Sequence, residues 1–228
     1  MTGRVFIIMR VYVGILVAWL WAVSATAAPL NLIVNGDFSA GNTGFTSDYT
    51  YVDDSPSMMD DLWPAGTYGI DDAVEGRHSL WVSGGESSAL YVNGRTDAAS
   101  TVWRQSVALE AGHGYAWSTW AANLCCVEGV PDGLGPTLEF FVNGLLLGSF
   151  VTDGPGVWQE SSFLFTAATT ALAVLEIRNI TTAFHGNDFA LDTLVLEDVG
   201  AAPEPGSMLL LGTGLIGLGS AARRRRKV

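Results

Sequence analysis

Basic residues are scarce through most of this 228-residue chain. Between residues 28 and 202 there are 22 aspartates and glutamates but only four basic side chains, those of Arg77, Arg95, Arg104 and Arg178, so the net charge is near −18. Nucleic-acid binding depends on basic side chains that neutralise phosphates. The composition therefore excludes nucleic acid as a partner, whereas acidic loops suit Ca²⁺, which takes carboxylate and carbonyl oxygens.

Cysteine is also rare, and its placement excludes common metal and redox sites. The two cysteines, Cys125 and Cys126, are neighbours, so the chain has no Cys-x-x-Cys redox motif. The histidines are isolated and lack the spacing that is typical of zinc sites. In an oxidising compartment the cysteines are predicted to form a vicinal disulfide, with pairing between chains or with other thiols as alternatives.

Signatures of catalysis are missing as well. There is no Gly-x-Ser-x-Gly elbow for a serine nucleophile, and adjacent acidic pairs such as Asp53-Asp54 are typical of solvent-facing loops. A glycosidase needs two carboxylates fixed across a sugar cleft, which spacing along the sequence does not reveal. The sequence predicts a protein that is not an enzyme, with an extracellular glycan hydrolase as the alternative.

Helix signals are nearly absent from residues 29–202, where short apolar segments end at Gly, Asn or Asp. The clearest hairpin has its turn at Asn143-Gly144, because Asn-Gly supplies the positive φ angles of a type I′ turn. Many short strands without an internal repeat predict an all-β fold, an antiparallel β-sandwich. The predicted strands are Leu32–Val34, His78–Val82, Ala89–Val92, Thr101–Leu109, Tyr115–Ala122, Leu138–Val142, Leu145–Leu147, Ser161–Phe165, Ala171–Ile177 and Phe189–Glu197.

The N-terminal 28 residues have the three parts of a secretory signal peptide. Arg4 and Arg10 precede an apolar stretch over residues 11–23, and a small-residue site with Ala25, Ala27 and Ala28 follows. This order predicts export and cleavage after Ala27 or Ala28. An uncleaved N-terminal anchor is the alternative.

The C-terminal end, residues 203–228, also has three parts. Pro203, Glu204 and Pro205 come first, a membrane helix is predicted over 207–222, and a basic cluster occupies 223–227. The apolar run from Met208 to Ala222 is shorter than the roughly 20 residues of a comfortable span, and the basic cluster is expected on the cytoplasmic side. An ordinary C-terminal anchor is the alternative.

The order of triplet, apolar run and arginine block closely resembles the PEP-CTERM sorting tail of Gram-negative bacteria. The resemblance implies an exosortase that recognises the Pro203–Pro205 region, after export by the Sec translocon. It also implies a transient stay in the inner membrane, followed by the cell surface or extracellular matrix. Residues 29–202 would then form the mature β-sandwich domain.

Four segments of that domain resemble carbohydrate-binding modules and related galactose-binding-like jelly rolls. They are Asn31–Ser39, which reads NLIVNGDFS, Val102–Val107, Gly114–Ala122 and Asn187–Leu196. The resemblance implies a jelly roll whose first and last strands lie side by side. It also implies a structural Ca²⁺ near Asp37 and Asp192, although Ser39 stands where the family often has Glu. The alternative is that the two aspartates cap turns.

Carbohydrate, as exopolysaccharide, is the expected ligand, since aromatic rings stack on the apolar faces of pyranoses. Trp63 and Tyr68 in one acidic segment, and Tyr49 and Tyr51 in another, are the candidates for an exposed platform. The tryptophans of the strands are expected in the core, except that Trp117 and Trp120 have opposite parity, so one should face the surface. A purely structural surface protein without a small ligand remains the alternative to binding.

Overall fold

The computed structural model of the chain describes residues 30–52, 62, 64–71, 88–124, 135–152, 154, 156–183 and 186–201. Regular structure in these residues is entirely β, as the sequence predicts. The ten strands are β1 Thr50–Tyr51, β2 Thr67–Asp71, β3 Ala89–Asn93, β4 Ser100–Leu109, β5 His113–Asn123, β6 Thr137–Val142, β7 Leu145–Val151, β8 Trp158–Thr166, β9 Ala171–Asn179 and β10 Phe189–Ala201.

The strands form two sheets, which makes the antiparallel β-sandwich a confirmed prediction. One sheet has six strands in the order β1-β2-β3-β10-β5-β8, and the other has four in the order β4-β9-β6-β7. From β3 to β10 each sheet contributes four strands, and the chain passes repeatedly from one sheet to the other. Eight strands in this order form a jelly roll. The strands β1 and β2 extend the six-stranded sheet at its β3 edge, where β1 pairs parallel to β2.

The core lies between the sheets because alternate residues of each strand point inward. On β5 the buried residues Tyr115, Trp117 and Ala121 belong to it. Trp103 and Trp117 are fully buried with ring centroids 6.2 Å apart, and the ring of Phe140 lies 5.1 Å from that of Trp117. The prediction that Trp103 and Trp117 belong to the core is therefore confirmed.

The hairpin at Asn143-Gly144 forms as predicted. Asn143 has φ 51° and Gly144 has φ 76°, and the two residues connect β6 directly to β7. Positive φ at both central positions matches the right-handed twist of the flanking strands. This turn consequently fixes the pairing of Val142 with Leu145 and of Phe141 with Leu146, beyond which the register shifts at a bulge.

The segment Leu32–Val34 was predicted as a strand, and this prediction is wrong. The chain turns there instead, with Asn35 at φ 56° and Phe38 at φ 54°. The segment nevertheless lies beside the last strand, since the amide of Leu32 donates to the Leu196 carbonyl at 2.9 Å. The two ends of the domain thus meet, but through irregular backbone.

The side chain of Asn31 holds this junction together. Its Nδ2 donates to the Leu194 carbonyl at 2.9 Å, and its Oδ1 accepts from the Leu196 amide at 2.9 Å. Gly36 allows the close approach, because a Cβ there would lie 2.1 Å from the Leu194 carbonyl oxygen. A side-chain amide therefore replaces part of the backbone ladder of a regular strand pair.

A second apolar cluster covers part of the outer face of the six-stranded sheet. It lies outside the core at the end where β10 begins, and Trp158 packs against it. Its buried members are Leu62, Ala89, Tyr91, Ala122, Leu124 and Ala190.

Several predictions concern residues outside the described ones. These are the signal peptide with Ala25, Ala27 and Ala28, the strand His78–Val82, the pair Cys125 and Cys126, and the tail from Pro203, Glu204 and Pro205 onward. Among the described residues, no helix has the length and hydropathy needed to cross a membrane.

Candidate functional site

Two of the tyrosines predicted to form an exposed platform are buried. Tyr49 and Tyr68 are each 5% exposed, so the expectation that they lie on the surface is wrong. Residues 67–71 form β2, which pairs with β3, and the Tyr68 ring faces the core. Its hydroxyl donates to Asn42 Oδ1 at 2.7 Å. The acidic residues around these tyrosines suggested a solvated loop, but strand pairing brings the rings inward.

Burial also changes the chemistry of the two phenols. Desolvation raises the pKa of Tyr49 and of Tyr68 above the usual value, although hydrogen bonds to each phenol act in the opposite direction. Both hydroxyls therefore stay protonated. Tyr51 is half-buried and packs against the Tyr68 ring with centroids 5.3 Å apart. Trp63 lies outside the described residues.

The exposed aromatic ring of the sheet face is that of Trp120. Trp120 is 40% exposed on β5, whereas Trp117 is fully buried, so the prediction from their opposite parity is confirmed. In the strand register Trp120 pairs with Asp192 of β10 on one side and with Glu160 of β8 on the other. Directly paired residues point to the same face of a sheet. Glu160, Trp120 and Asp192 therefore form one row across the outer face, with the indole between the two acidic residues.

Trp120 stands at the border between a covered and an open part of the sheet face. Toward the start of β10, the next row contains Ala122 and belongs to the second apolar cluster. In the other direction the row of Ser118 pairs with Ser162 and Val195, and the following row begins at Ala116. The small, half-exposed side chains of Ser118 and Ala116 leave a shallow floor next to the indole, bordered by Leu164, which pairs with Ala116 and is 75% exposed. We call this surface the sheet shelf: Ala116, Ser118, Trp120, Glu160, Ser162 and Asp192.

The carboxyl of Asp192 has an unusual electrostatic position. The residue is 6% exposed, and burial raises the pKa of its carboxyl to about 6, while hydrogen bonds from Thr193 act to lower it. The nearby charge of Asp37 also raises this pKa. Thr193 has φ 51° and lies in a bulge of β10 between Asp192 and Val195. Asp37, which is far from Asp192 in the sequence, thus lies close enough for its charge to act on this carboxyl.

The pair Asp37 and Asp192 lies where a structural Ca²⁺ was predicted, and it also satisfies the alternative of turn capping. Asp37 Oδ1 accepts from the amide and hydroxyl of Ser39, at 3.2 and 2.9 Å, and Asp192 Oδ1 accepts from the Thr193 amide. Among the described residues there is no group of three acidic, histidine or cysteine side chains that could hold a metal. Ca²⁺ takes six to eight oxygens. Two carboxylates fit that ion only if carbonyls and water complete the shell.

Arginines of the opposite sheet are neutralised by carboxylates. Arg104 Nε and Arg178 Nη2 each lie 2.6 Å from Glu176, and Arg104 also lies 3.5 Å from Asp48. The Arg178 guanidinium sits over the Phe141 ring, 4.1 Å from its centroid. Although burial of Glu176 favours its neutral form, the two arginines hold the pKa of its carboxyl below the usual value. The charges of Arg104 and Arg178 therefore lie on the opposite side of the sandwich from the sheet shelf.

Comparison with known proteins identifies the C-terminal segment and the fold. Residues 201–226 match the PEP-CTERM protein-sorting motif. A cyclase from Fischerella sp. TAU is 11% identical with TM-score 0.52, over 77% of this chain and all of that one, and this likeness shows the fold alone. No curated protein matches the chain significantly.

Two carbohydrate-binding modules also have similar structures. One is TmCBM61 in complex with beta-1,4-galactotriose, 14% identical with TM-score 0.46, over 74% of this chain and 99% of that one. The other is the CBM22-1 xylan-binding domain from Paenibacillus barcinonensis, 17% identical with TM-score 0.43, over 78% of this chain and all of that one. The chain thus carries a PEP-CTERM sorting motif that begins where the last strand of a jelly-roll β-sandwich ends.

Proposed function

We propose that this protein is an exported, non-catalytic β-sandwich that binds carbohydrate on the sheet shelf. The observation that carries the proposal is the exposed indole of Trp120 between the carboxylates of Asp192 and Glu160. An indole offers a large apolar surface with little conformational entropy to lose. Carboxylates accept strong hydrogen bonds from hydroxyl groups. A pyranose can therefore stack on the ring and donate a hydrogen bond to the exposed Glu160, whereas Asp192, which is 6% exposed, contributes mainly charge beside the indole.

The charge of the shelf supports a neutral sugar. Asp192 and Glu160 supply negative charge beside the indole, and Glu197 adds to it in the row of Ala116. Of the three described arginines, Arg104 and Arg178 belong to the opposite sheet and are paired with Glu176, and Arg95 is paired with Asp97. A uronic acid would meet like charge on the shelf, which costs binding free energy. Neutral glycans are therefore the favoured class.

The sorting motif supports a destination outside the cytoplasm. We propose that the Sec translocon exports the chain, that the tail holds it in the inner membrane, and that an exosortase acts at Pro203–Pro205. The product reaches the cell surface or extracellular matrix, where the ligand is exopolysaccharide. Replacing Pro203, Glu204 and Pro205 together by Ala should leave the full chain in the inner-membrane fraction. Normal release of that variant would contradict this part of the proposal.

A glycan array tests the binding proposal. Residues 29–202 should retain neutral glycans, and Trp120→Ala should weaken binding about tenfold or more, equivalent to roughly 1.4 kcal/mol. Leu172→Ala is the matched control, because Leu172 is an exposed apolar residue of the other sheet. Equal loss in both variants, or no retained glycan at all, would refute binding on the shelf.

Glycan hydrolysis is a second candidate, and one observation favours it. Glu160 and Asp192 flank the exposed indole from the two strands beside β5, and the pKa of Asp192 is raised, as a general acid requires. Against it, Asp192 is nearly inaccessible, and the shelf is an open sheet face. Release of reducing ends from a bound glycan, lost in Glu160→Gln, would decide for the enzyme.

A further inference from the structure

The end of the last strand defines one end of the sandwich. At this end β10 stops at Ala201, which pairs with His113 of β5. The turns at Gly112 and Ala167 meet there, since the Gly112 amide donates to the Ala167 carbonyl at 2.8 Å and the Ala167 amide donates to the His113 carbonyl at 3.0 Å. We call it the tail-side end. The far end is the one where β10 begins, at Phe189.

Several strongly exposed apolar side chains lie at the tail-side end, in addition to Leu30 and Val34 of the N-terminal segment, which are 77% and 66% exposed. Leu145 and Leu172 of the four-stranded sheet are 70% and 71% exposed, and Leu164 of the six-stranded sheet is 75% exposed. Val199, at 59%, lies near Gly114, whose built Cβ would be 3.1 Å from a Val199 methyl. Both sheets thus present leucine or valine to solvent there. Leu164 is the direct cross-strand partner of Ala116, so it belongs to the face of the sheet shelf. Leu145, Leu172 and Val199 form the tail-side patch.

An apolar pocket opens within the patch. Its volume is about 230 Å³, and its lining includes Leu109, Leu145, Leu147, Phe165 and Leu172. The pocket lies between the edges of the two sheets, where their apolar inner faces approach solvent. Exposed leucines around an apolar opening are typical of surfaces that contact a partner.

The number of residues between Ala201 and the apolar run of the tail limits how far this surface can lie from a membrane that holds the tail. The apolar run of the tail begins at Met208, so its first residue lies at most about 25 Å from Ala201 even with an extended linker. The thirteen residues of β10 span roughly 40 Å. A tail held in a bilayer can therefore bring the tail-side end to the membrane, but its tether is shorter than the distance to the far end.

We propose that the tail-side patch rests on the bilayer that holds the sorting tail, with its leucines in the boundary between headgroups and acyl chains. The inference rests on the proposed function in one respect, namely that the tail is inserted in a membrane. Apolar side chains at such depth bind by burial of their surface. The sheet shelf, whose Trp120 row lies toward the far end, then points away from the membrane and toward extracellular glycan.

The charged side chains at the tail-side end indicate which lipid headgroups the patch can contact. His113 Nδ1 lies 2.7 Å from Asp198 and its Nε2 lies 3.5 Å from Glu110, so the carboxylates outnumber the one histidine. The described arginines lie elsewhere, since Arg104 and Arg178 pair with Glu176 in the middle of the other sheet and Arg95 pairs with Asp97 near the far end. A neutral phosphatidylcholine surface is therefore favoured over an anionic one.

Depth-dependent quenching in vesicles tests the proposal. The full chain, with Cys125→Ser and Cys126→Ser, would be reconstituted in phosphatidylcholine vesicles containing doxyl-labelled lipid. A fluorescent label is placed at one position at a time by Leu172→Cys, Val157→Cys or Ile216→Cys. Val157 is the control, because it is an exposed apolar residue at the far end, preceding β8. Ile216 lies in the apolar run of the tail and reports on its insertion.

The expected result is quenching about twofold stronger or more at position 172 than at 157, with strong quenching at 216. Equal, weak quenching at 172 and 157, with a quenched tail label, overturns the membrane contact and leaves the sorting proposal intact. An unquenched tail label overturns both. Protection of position 172 from lipid and water quenchers alike, with a dimer in detergent, assigns the patch to a second copy and overturns the proposal.

A second variant separates contact from mere proximity. Leu145→Asp with Leu172→Asp keeps the tether but removes the apolar contact, and both residues are exposed, so the fold should persist. With the label placed by Val199→Cys, the double variant should lose most lipid quenching. The same loss is expected when phosphatidylglycerol replaces half of the neutral lipid, because Glu110 and Asp198 meet like charge. Unchanged quenching in the double variant contradicts the proposal.

Discussion

Trp120 and Asp192 are direct cross-strand partners, yet the indole is 40% exposed and the carboxyl residue only 6%. Paired residues on a sheet have Cβ atoms about 4.5–5.5 Å apart, so the carboxyl lies beside the indole although little of it is accessible to a ligand. The indole is accessible to a ligand, whereas burial raises the pKa of the carboxyl. Their contributions can therefore be tested separately.

The two tryptophans of β5 should differ sharply in their effect on stability. Trp117→Ala removes a fully buried ring packed against Trp103 and Phe140, and we expect a loss of about 3–5 kcal/mol in the free energy of unfolding. Trp120→Ala removes a partly exposed ring and should cost less than about 1 kcal/mol. Urea unfolding followed by circular dichroism measures both. A large loss in Trp120→Ala would show that this ring is structural.

Gly36 should be intolerant of any side chain. Gly36→Ala places a Cβ 2.1 Å from the Leu194 carbonyl oxygen, so the junction between the first segment and β10 must open, at a cost of about 1–3 kcal/mol. Gly154→Ala is the control, because a Cβ there meets no atom within 4 Å. A shift of the urea midpoint is expected in Gly36→Ala only. Equal midpoints in the two variants would contradict the close approach.

Asp192 should make the domain less stable as the pH rises. Burial raises its pKa in the folded state to about 6 from the ordinary value of 3.8, so folding favours the protonated form. Its contribution is fully present below pH 3.8 and is lost as the pH rises through about 6. In EDTA, Asp192→Asn should therefore be more stable than the wild type at about pH 7.5, and the advantage should shrink toward about pH 4.

Other carboxyls titrate in the opposite direction, which is why the difference between the two proteins is the measured quantity. Asp97 has its pKa lowered to about 2, first by the hydrogen bond from Arg95, and Glu176 also has a lowered pKa. Their stabilising contributions fall as the pH drops, in both proteins alike. A pH-independent difference between wild type and Asp192→Asn would show that the Asp192 carboxyl is not perturbed.

Calcium should separate the two roles open to Asp37 and Asp192. If the pair holds Ca²⁺ with nearby carbonyls, a concentration about 100 times the dissociation constant should stabilise the domain by about 2.7 kcal/mol at neutral pH. Asp37→Asn should abolish this gain, whereas Asp97→Asn, which alters an exposed carboxylate paired with Arg95, should keep it. Thermal unfolding with Ca²⁺ and with EDTA measures the effect. Equal melting temperatures would assign both aspartates to turn capping.

The sequence by itself determined features that depend on neighbouring residues. Strands with alternating burial, the Asn143-Gly144 hairpin and the opposite faces of Trp117 and Trp120 all follow from a two-residue period and local turn chemistry. The order of Pro-Glu-Pro triplet, apolar run and arginine block likewise predicted a sorting tail, and residues 201–226 match the sorting motif. In each case the information lies within a few consecutive residues.

Only the tertiary structure decided which residues meet. Tyr68 is buried because residues 67–71 pair with β3, and no local signal marks that strand among its acidic neighbours. Asp37 approaches Asp192 because the N-terminal segment lies along β10, and Glu160 and Asp192 flank Trp120 because β5 lies between β8 and β10. A shift of one residue in strand register would turn these side chains to the other face. Register between distant strands depends on the packing of the whole sandwich, so the sheet shelf emerges only from the fold.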